Sequence, residues 1–191
     1  NNRYKYYIMN LKLFSYAKVK STNSTAINLI KQKKFKKGIV HSISQTNGRG
    51  RYGRKWISLK GNLFLTIFFQ LNEKYPSLEK MTNINVSIIL NILKKLCKNK
   101  QIKFKKPNDI YINKKKVCGI LQETISVRNR NYLIVGIGIN LINNPKLYKY
   151  LSTNIFIETN IKLKMSKIIK LIKYKYENLL NNINNKKLLK I

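Results

Sequence analysis

Residues 62–69 read Asn-Leu-Phe-Leu-Thr-Ile-Phe-Phe and carry apolar side chains on both faces of an extended chain. A strand of that kind must be covered on both sides. Residues 132–141, Tyr-Leu-Ile-Val-Gly-Ile-Gly-Ile-Asn-Leu, make a second core strand. The cover is supplied by helices: residues 78–98 set Met81, Ile84, Ile88, Ile92, Leu93 and Leu96 at helical spacing, and a further helix is expected over residues 165–180. Shorter strands are expected over residues 39–45, 102–104, 109–112 and 117–124, with a looser one over residues 6–20. This order predicts an α+β fold, a mixed and largely antiparallel sheet backed by helices. A chain of 191 residues, 43% of them hydrophobic, supports one core, so residues 1–180 are read as one domain and residues 181–191 as a frayed tail.

Composition removes several chemistries. His41 is the sole histidine, and Cys97 and Cys118 are the only cysteines, which leaves no material for a Cys/His zinc site or a Ser-His-Asp device. The net charge of +34 would attract any polyanion, yet lysines occur in every segment, which favours a compositional origin over a nucleic-acid-binding patch. No segment has transmembrane length and no secretory signal is evident, so a cytoplasmic or organellar location without membrane attachment is expected.

Arginine is used differently from lysine here. Three of the six arginines, Arg49, Arg51 and Arg54, fall among Gly48, Gly50 and Gly53 in the stretch from Gln45 to Trp56. A guanidinium fork binds carboxylate or phosphate bidentately, and glycines let backbone N–H groups approach an anion. The spelling G-x-G-x-x-G needs a following helix to be a dinucleotide turn, and residues 55–62 offer none. A loop closing over a charged ligand is favoured over a solvated basic loop. Ser21, Thr22 and Asn23 precede a helix and serve either as caps or as a polar grip on a ligand. Trp56 is either core or a plate for a purine. Pro107 keeps Asn108 and Asp109, the sole aspartate, out of a helix; Lys116 lies near a hairpin turn at residues 113–116. Gly136 and Gly138 share a strand face and would leave a flat slot ending in the polar Asn140.

Taken in order, Ser21-Thr22-Asn23, the Gly48–Trp56 arginine loop, Lys105-Lys106-Pro107-Asn108-Asp109 with Lys116-Val117-Cys118-Gly119, and Gly136-Ile137-Gly138-Ile139-Asn140 resemble the catalytic domain of the biotin protein ligases, a class II synthetase-like fold. Lys106 stands where that family usually has tryptophan, and Leu59 where proline is common. The resemblance implies adenylation of biotin with ATP and Mg²⁺, then transfer to one lysine of a biotin carboxyl carrier domain. It implies that Ser21, Thr22, Asn23, Gln45, Gly136 and Gly138 bind biotin. Arg49, Gly50, Arg51 and Lys116 would gather its carboxylate and the phosphate. Trp56 would shelter adenine, with Arg54, Asn108 and Asn140 also on the ATP side. Lys116, Arg51 and Asp109 are the expected catalytic groups, and Asp109 and Asn140 the expected magnesium ligands. Neither an N-terminal winged helix nor a C-terminal β-domain is expected, so no specific DNA binding is implied; a homodimer stays open. The rival readings are a lipoate or octanoate ligase or transferase of the same fold, which lacks such an arginine loop, a basic nucleic-acid-binding module, and an inactive relative.

Overall fold

The computed structural model describes residues 10–98, 101–146 and 151–185. Its centre is a seven-stranded sheet in the order β1-β2-β5-β9-β8-β7-β6. The strands are β1 (Leu13–Val19), β2 (Lys37–Gln45), β5 (Leu63–Gln70), β6 (Ile102–Lys105), β7 (Asp109–Ile112), β8 (Lys115–Val127) and β9 (Arg130–Ile139). β1 runs parallel to β2 and every other neighbouring pair is antiparallel, which is the mixed, mostly antiparallel sheet expected of the sequence. Helices α1 (Thr22–Lys31), α2 (Leu78–Cys97), α3 (Ile155–Thr159) and α4 (Met165–Asn184) complete the main body.

Alternation along β9 decides which helix lies on which face. Leu133, Val135, Ile137 and Ile139 join the large core formed with α2 and α4, whereas Tyr132 and Ile134 join a smaller cluster under α1. The same face continues through Gly136 and Gly138, where the α1 cluster ends and the strand carries no side chains of its own. β5 obeys the same parity. Leu63, Leu65, Ile67 and Phe69 enter the α2/α4 core, Phe68 packs under α1, and buried Thr66 supplies the one polar side chain between them. Tyr176 of α4 lies fully buried and donates from its hydroxyl to Asn85 Oδ1 of α2 at 2.9 Å, tying the two helices together.

Several boundaries differ from the sequence reading. The 113–116 turn tightens to two residues, because Asn113 and Lys114 take the left-handed φ values of 50° and 63° that a two-residue hairpin needs, and Lys115 and Lys116 begin β8. The last helix runs through residues 181–184 instead of fraying there, since Ile183 is buried against the core. Short α3 was not anticipated. Residues 6–9 of the first expected strand, and 186–191 of the expected tail, lie outside the described residues. Among the described residues no helix is long and apolar enough to cross a membrane.

His41 sits in β2 as a strand side chain, 9% exposed, with Nε2 3.2 Å from Met165 Sδ. Burial holds its imidazole pKa below the ordinary 6.5, so the unfolded chain takes up this proton first as pH falls. The stability it contributes is therefore fully present above the unfolded pKa and is lost as pH drops from about 6.5 toward the folded value. Urea midpoints measured across that range should fall for the native chain, with a shallower fall for His41→Gln.

Candidate active site

The stretch singled out for its arginines is a small hairpin laid over the α1 face of the sheet. β3 (Gly48–Arg49) pairs antiparallel with β4 (Lys55–Trp56), and a single 3₁₀ turn over Arg51–Gly53 forms the tip. No helix opens from it, so the dinucleotide-turn geometry is absent. Tyr52 and Gly53 adopt φ values of 53° and 71°. A bulky residue rarely takes such a conformation. Here Tyr52 is 83% exposed, its ring lies 4.8 Å from the Arg51 guanidinium, and its hydroxyl accepts from Arg51 Nη2 at 2.8 Å.

Trp56 explains the glycines beneath the hairpin. Gly119 and Gly138 are direct cross-strand partners on β8 and β9, and a Cβ on either would stand 2.8 or 2.4 Å from the indole. The slot expected to hold a ligand ring at Gly138 is thus filled by Trp56. The indole Nε1 is buried and has no hydrogen-bond partner among the described residues. Gly136 makes room in the same way for Asn23, whose Oδ1 would lie 2.3 Å from an added Cβ. The two glycines shape the wall by admitting Trp56 and Asn23 against the sheet.

Lys116 reaches this face because of a bulge. Ile110 pairs with Cys118, but Tyr111 pairs with Lys116, leaving Val117 as an extra residue. Val117 and Cys118 both enter the α2/α4 core, so the parity of β8 shifts and Lys116 shares the face of Gly119. Its Nζ lies 2.8 Å from Asp109 Oδ1 and 5.6 Å from the centroid of the Trp56 ring. Its backbone is clamped on both sides, donating to Leu151 O and accepting from Thr153 N, each at 2.9 Å.

The polar triad at the start of α1 is not a cap. Ser21 occupies the N-cap position without a side-chain capping bond, and Thr22 and Asn23 already lie in the first helical turn, buried and bonded elsewhere. Gln45 Nε2 donates to Ser58 Oγ at 3.0 Å, while Gln45 Oε1 accepts from the Thr22 N–H at 2.8 Å and lies 3.1 Å from the Thr22 hydroxyl. Thr66 Oγ1 stands 2.8 Å from Thr22 Oγ1 and 2.6 Å from Asn23 Oδ1. Asn23 Nδ2 then donates to Glu123 Oε2 at 2.7 Å, and Glu123 Oε1 accepts from Arg49 Nη2. The chain of contacts leaves the arginine hairpin segment at Ser58 and re-enters it at Arg49.

These pieces bound one cavity of about 880 Å³. Its walls include Ser21, Thr22, Asn23, Gln45, Arg49, Gly50, Arg51, Arg54, Trp56, Asn108, Asp109, Lys116, Gly136 and Gly138. Asn140 departs from the sequence expectation. Its side chain lies off the main cavity, donating to Thr153 O at 3.0 Å, in a pocket behind Trp56 that also touches Lys116. Asn108 lines the cavity, but its amide donates to Ile120 O at 2.5 Å and so also anchors β8. Asp109 is engaged by Lys116, Asn140 is turned away, and no cluster of three metal-ligating side chains exists among the described residues. The donors do not fit a magnesium ion held by the protein itself; Mg²⁺ is often carried mainly by substrate phosphates. Sequence reasoning missed Glu123, Thr66, Ser58 and the rim residues Tyr111 and Lys146.

Comparison with known proteins places this geometry. The family model described as biotin/lipoate A/B protein ligase matches residues 16–140. The bifunctional ligase/repressor BirA of Escherichia coli is 34% identical over 126 residues, which cover 64% of this chain and 38% of that protein. The biotin–[acetyl-CoA-carboxylase] ligase of Paracoccus denitrificans is 29% identical over 131 residues, 68% of this chain and 54% of its own. The biotin protein ligase of Aquifex aeolicus in complex with biotin and ATP superposes with a TM-score of 0.76 at 27% identity, covering 92% of this chain and 73% of that one. The Leishmania major enzyme in complex with biotinyl-5-AMP also scores 0.76, at 25% identity over 88% of this chain and 74% of its own. This chain spans well under half the length of the BirA proteins it matches. With the matched segment running from β1 to the end of β9 and containing every cavity residue named above except Lys146, the chain belongs to the biotin/lipoate A/B protein ligase family.

Proposed function

We propose that this chain is a biotin protein ligase: it adenylates biotin in the cavity and passes the biotinyl group to one lysine of a biotin carboxyl carrier domain. The observation that carries the reading is the convergence of Arg49, Arg51, Lys116, Trp56 and the Ser21-Thr22-Asn23 turn, drawn from distant parts of the chain, on one cavity of about 880 Å³. That size lies in the ordinary range for small-molecule sites.

In the first step a carboxylate oxygen of biotin attacks the α-phosphorus of ATP. An acyl–O–P bond forms, the bond to the β-phosphate oxygen breaks, and pyrophosphate leaves. Two anions must meet, and at ~4 Å and an effective dielectric of 20 their repulsion is about 4 kcal/mol. Lys116, oriented by Asp109 and by its clamped backbone, and the guanidinium groups of Arg49 and Arg51 supply the opposing charge. Trp56, pinned over Gly119 and Gly138, offers an aromatic plate, and the Thr22–Asn23–Gln45 network offers directed polar groups for the ring system. In the second step the neutral amine of the carrier lysine attacks the acyl carbon and AMP departs. No side-chain base is required in the first step, which agrees with a cavity that no histidine lines.

Incubation with biotin, MgATP and a carboxylase carrier domain should add one biotinyl group to a single carrier lysine, as read by intact mass. Lipoic or octanoic acid in place of biotin should leave the carrier unchanged. Transfer of lipoate or octanoate without transfer of biotin would overturn the reading, as would an unlabelled carrier in every arm.

A further inference from the structure

We infer that Glu123 is a positioning residue that couples occupancy of the α1 end of the cavity to closure of the arginine hairpin over it; the inference rests on the biotin ligase reading above. Glu123 projects from β8 on the cavity side and holds two donors from opposite walls, Asn23 Nδ2 at 2.7 Å and Arg49 Nη2. Its side chain is 23% exposed and that of Arg49 is 38% exposed. The pair is therefore screened but not fully wet.

Three observations single this carboxylate out. First, the hairpin brings Arg49, Arg51, Arg54 and Lys55 to a cavity already holding Lys116 and Lys146, so like-charge repulsion tends to lift it off the sheet. Second, Asp109, the one carboxylate that lines the cavity among the described residues, is already paired with Lys116. Third, Asn23 is packed against the Gly136 backbone with no room to swing toward the sheet, so the direction of its amide is fixed from one side by Thr66 and from the other by Glu123. A guanidinium has five N–H donors. With Nη2 given to Glu123, Arg49 keeps the remaining donors in a fixed orientation for an incoming acid group. A ligand that contacts Asn23 and Arg49 together engages both partners of Glu123 at once, and so holds the hairpin down on the sheet.

Glu123→Gln keeps the shape and an acceptor for Asn23 but removes the charge facing Arg49. A charge-assisted hydrogen bond of this kind corresponds to about a tenfold change in an equilibrium. The Michaelis constant for biotin should therefore rise about tenfold while kcat at saturation is retained, the signature of lost binding and not of lost chemistry. Glu123→Asp, which keeps the charge, should fall between the two. Cleavage by an arginine-specific protease, with fragments identified by mass, gives a readout independent of ligase activity. Without ligand, the bonds after Arg49, Arg51 and Arg54 should be cut about tenfold faster in Glu123→Gln than in the native chain, and cutting after Arg128 and Arg130 should be unaltered. Biotin should protect the hairpin of the native chain more than that of the variant. Native cleavage rates and a native Michaelis constant in Glu123→Gln would overturn the inference, as would equal acceleration at all five bonds. A native chain that never uses biotin would instead sink the ligase reading, while the ligand-free cleavage comparison would still decide the clasp.

Discussion

Lys116→Ala is expected to lower the rate of biotinyl-adenylate formation by about 10²–10³, the usual loss when one preorganised donor is removed from a developing anion. The ammonium is held 2.8 Å from Asp109 on the cavity wall, and β8 is bulged at Val117, which places it there. Arg51→Ala should act in the same direction. Neither change opens the α2/α4 core, so thermal unfolding should move far less than the rate does. Single-turnover assays with labelled ATP would measure the first quantity and calorimetry the second. Lys116→Arg, which keeps the charge but replaces a point ammonium with a planar fork, should recover only part of the rate.

Gly138→Ala should also be damaging, through packing instead of charge. The added Cβ would lie 2.4 Å from Trp56 Cε2 and 2.8 Å from its Nε1. The indole has no retreat along the sheet, because Gly119 on the neighbouring strand is covered by the same ring. It must lift into the cavity. Overpacking of this kind costs about 1–3 kcal/mol, so biotin and ATP affinities should weaken by about tenfold or more. Gly138 has no positive φ, so the effect would not come from backbone strain. Titration calorimetry of the variant with biotin and with ATP would check it, and native affinities would mean that the ring does not rest where the structure puts it.

The sheet was legible in the sequence because its central strands are apolar on both faces, a pattern few other structures can satisfy. The arginine hairpin was legible because its residue types are chemically unusual at their spacing, whereas Lys116 and the Ser21-Thr22-Asn23 turn were singled out as site residues only through the resemblance to the biotin protein ligases. Asn140 misled for a physical reason. It continues the parity of Gly136 and Gly138, but β9 ends at Ile139, so the alternation no longer governs where its amide points. The glycines were read correctly as missing side chains on one face, yet which group fills the gap depends on Trp56 and Asn23, which approach from other elements. Glu123 was hidden for the same reason: its partners lie 100 and 74 positions away along the chain, and nothing local distinguishes it from a solvated strand glutamate. Interior hydrophobic periodicity is a local signal, whereas a polar network across four elements is not.

Trp56 is the only tryptophan of the chain and forms part of the cavity wall, so its fluorescence reports on this one place. Titrating the native chain with biotin should give a saturable change in emission, and adding ATP a second one, with lipoic acid giving neither. Emission that ignores biotin and ATP, or that responds equally to lipoic acid, would contradict the assignment of this cavity to biotin adenylation.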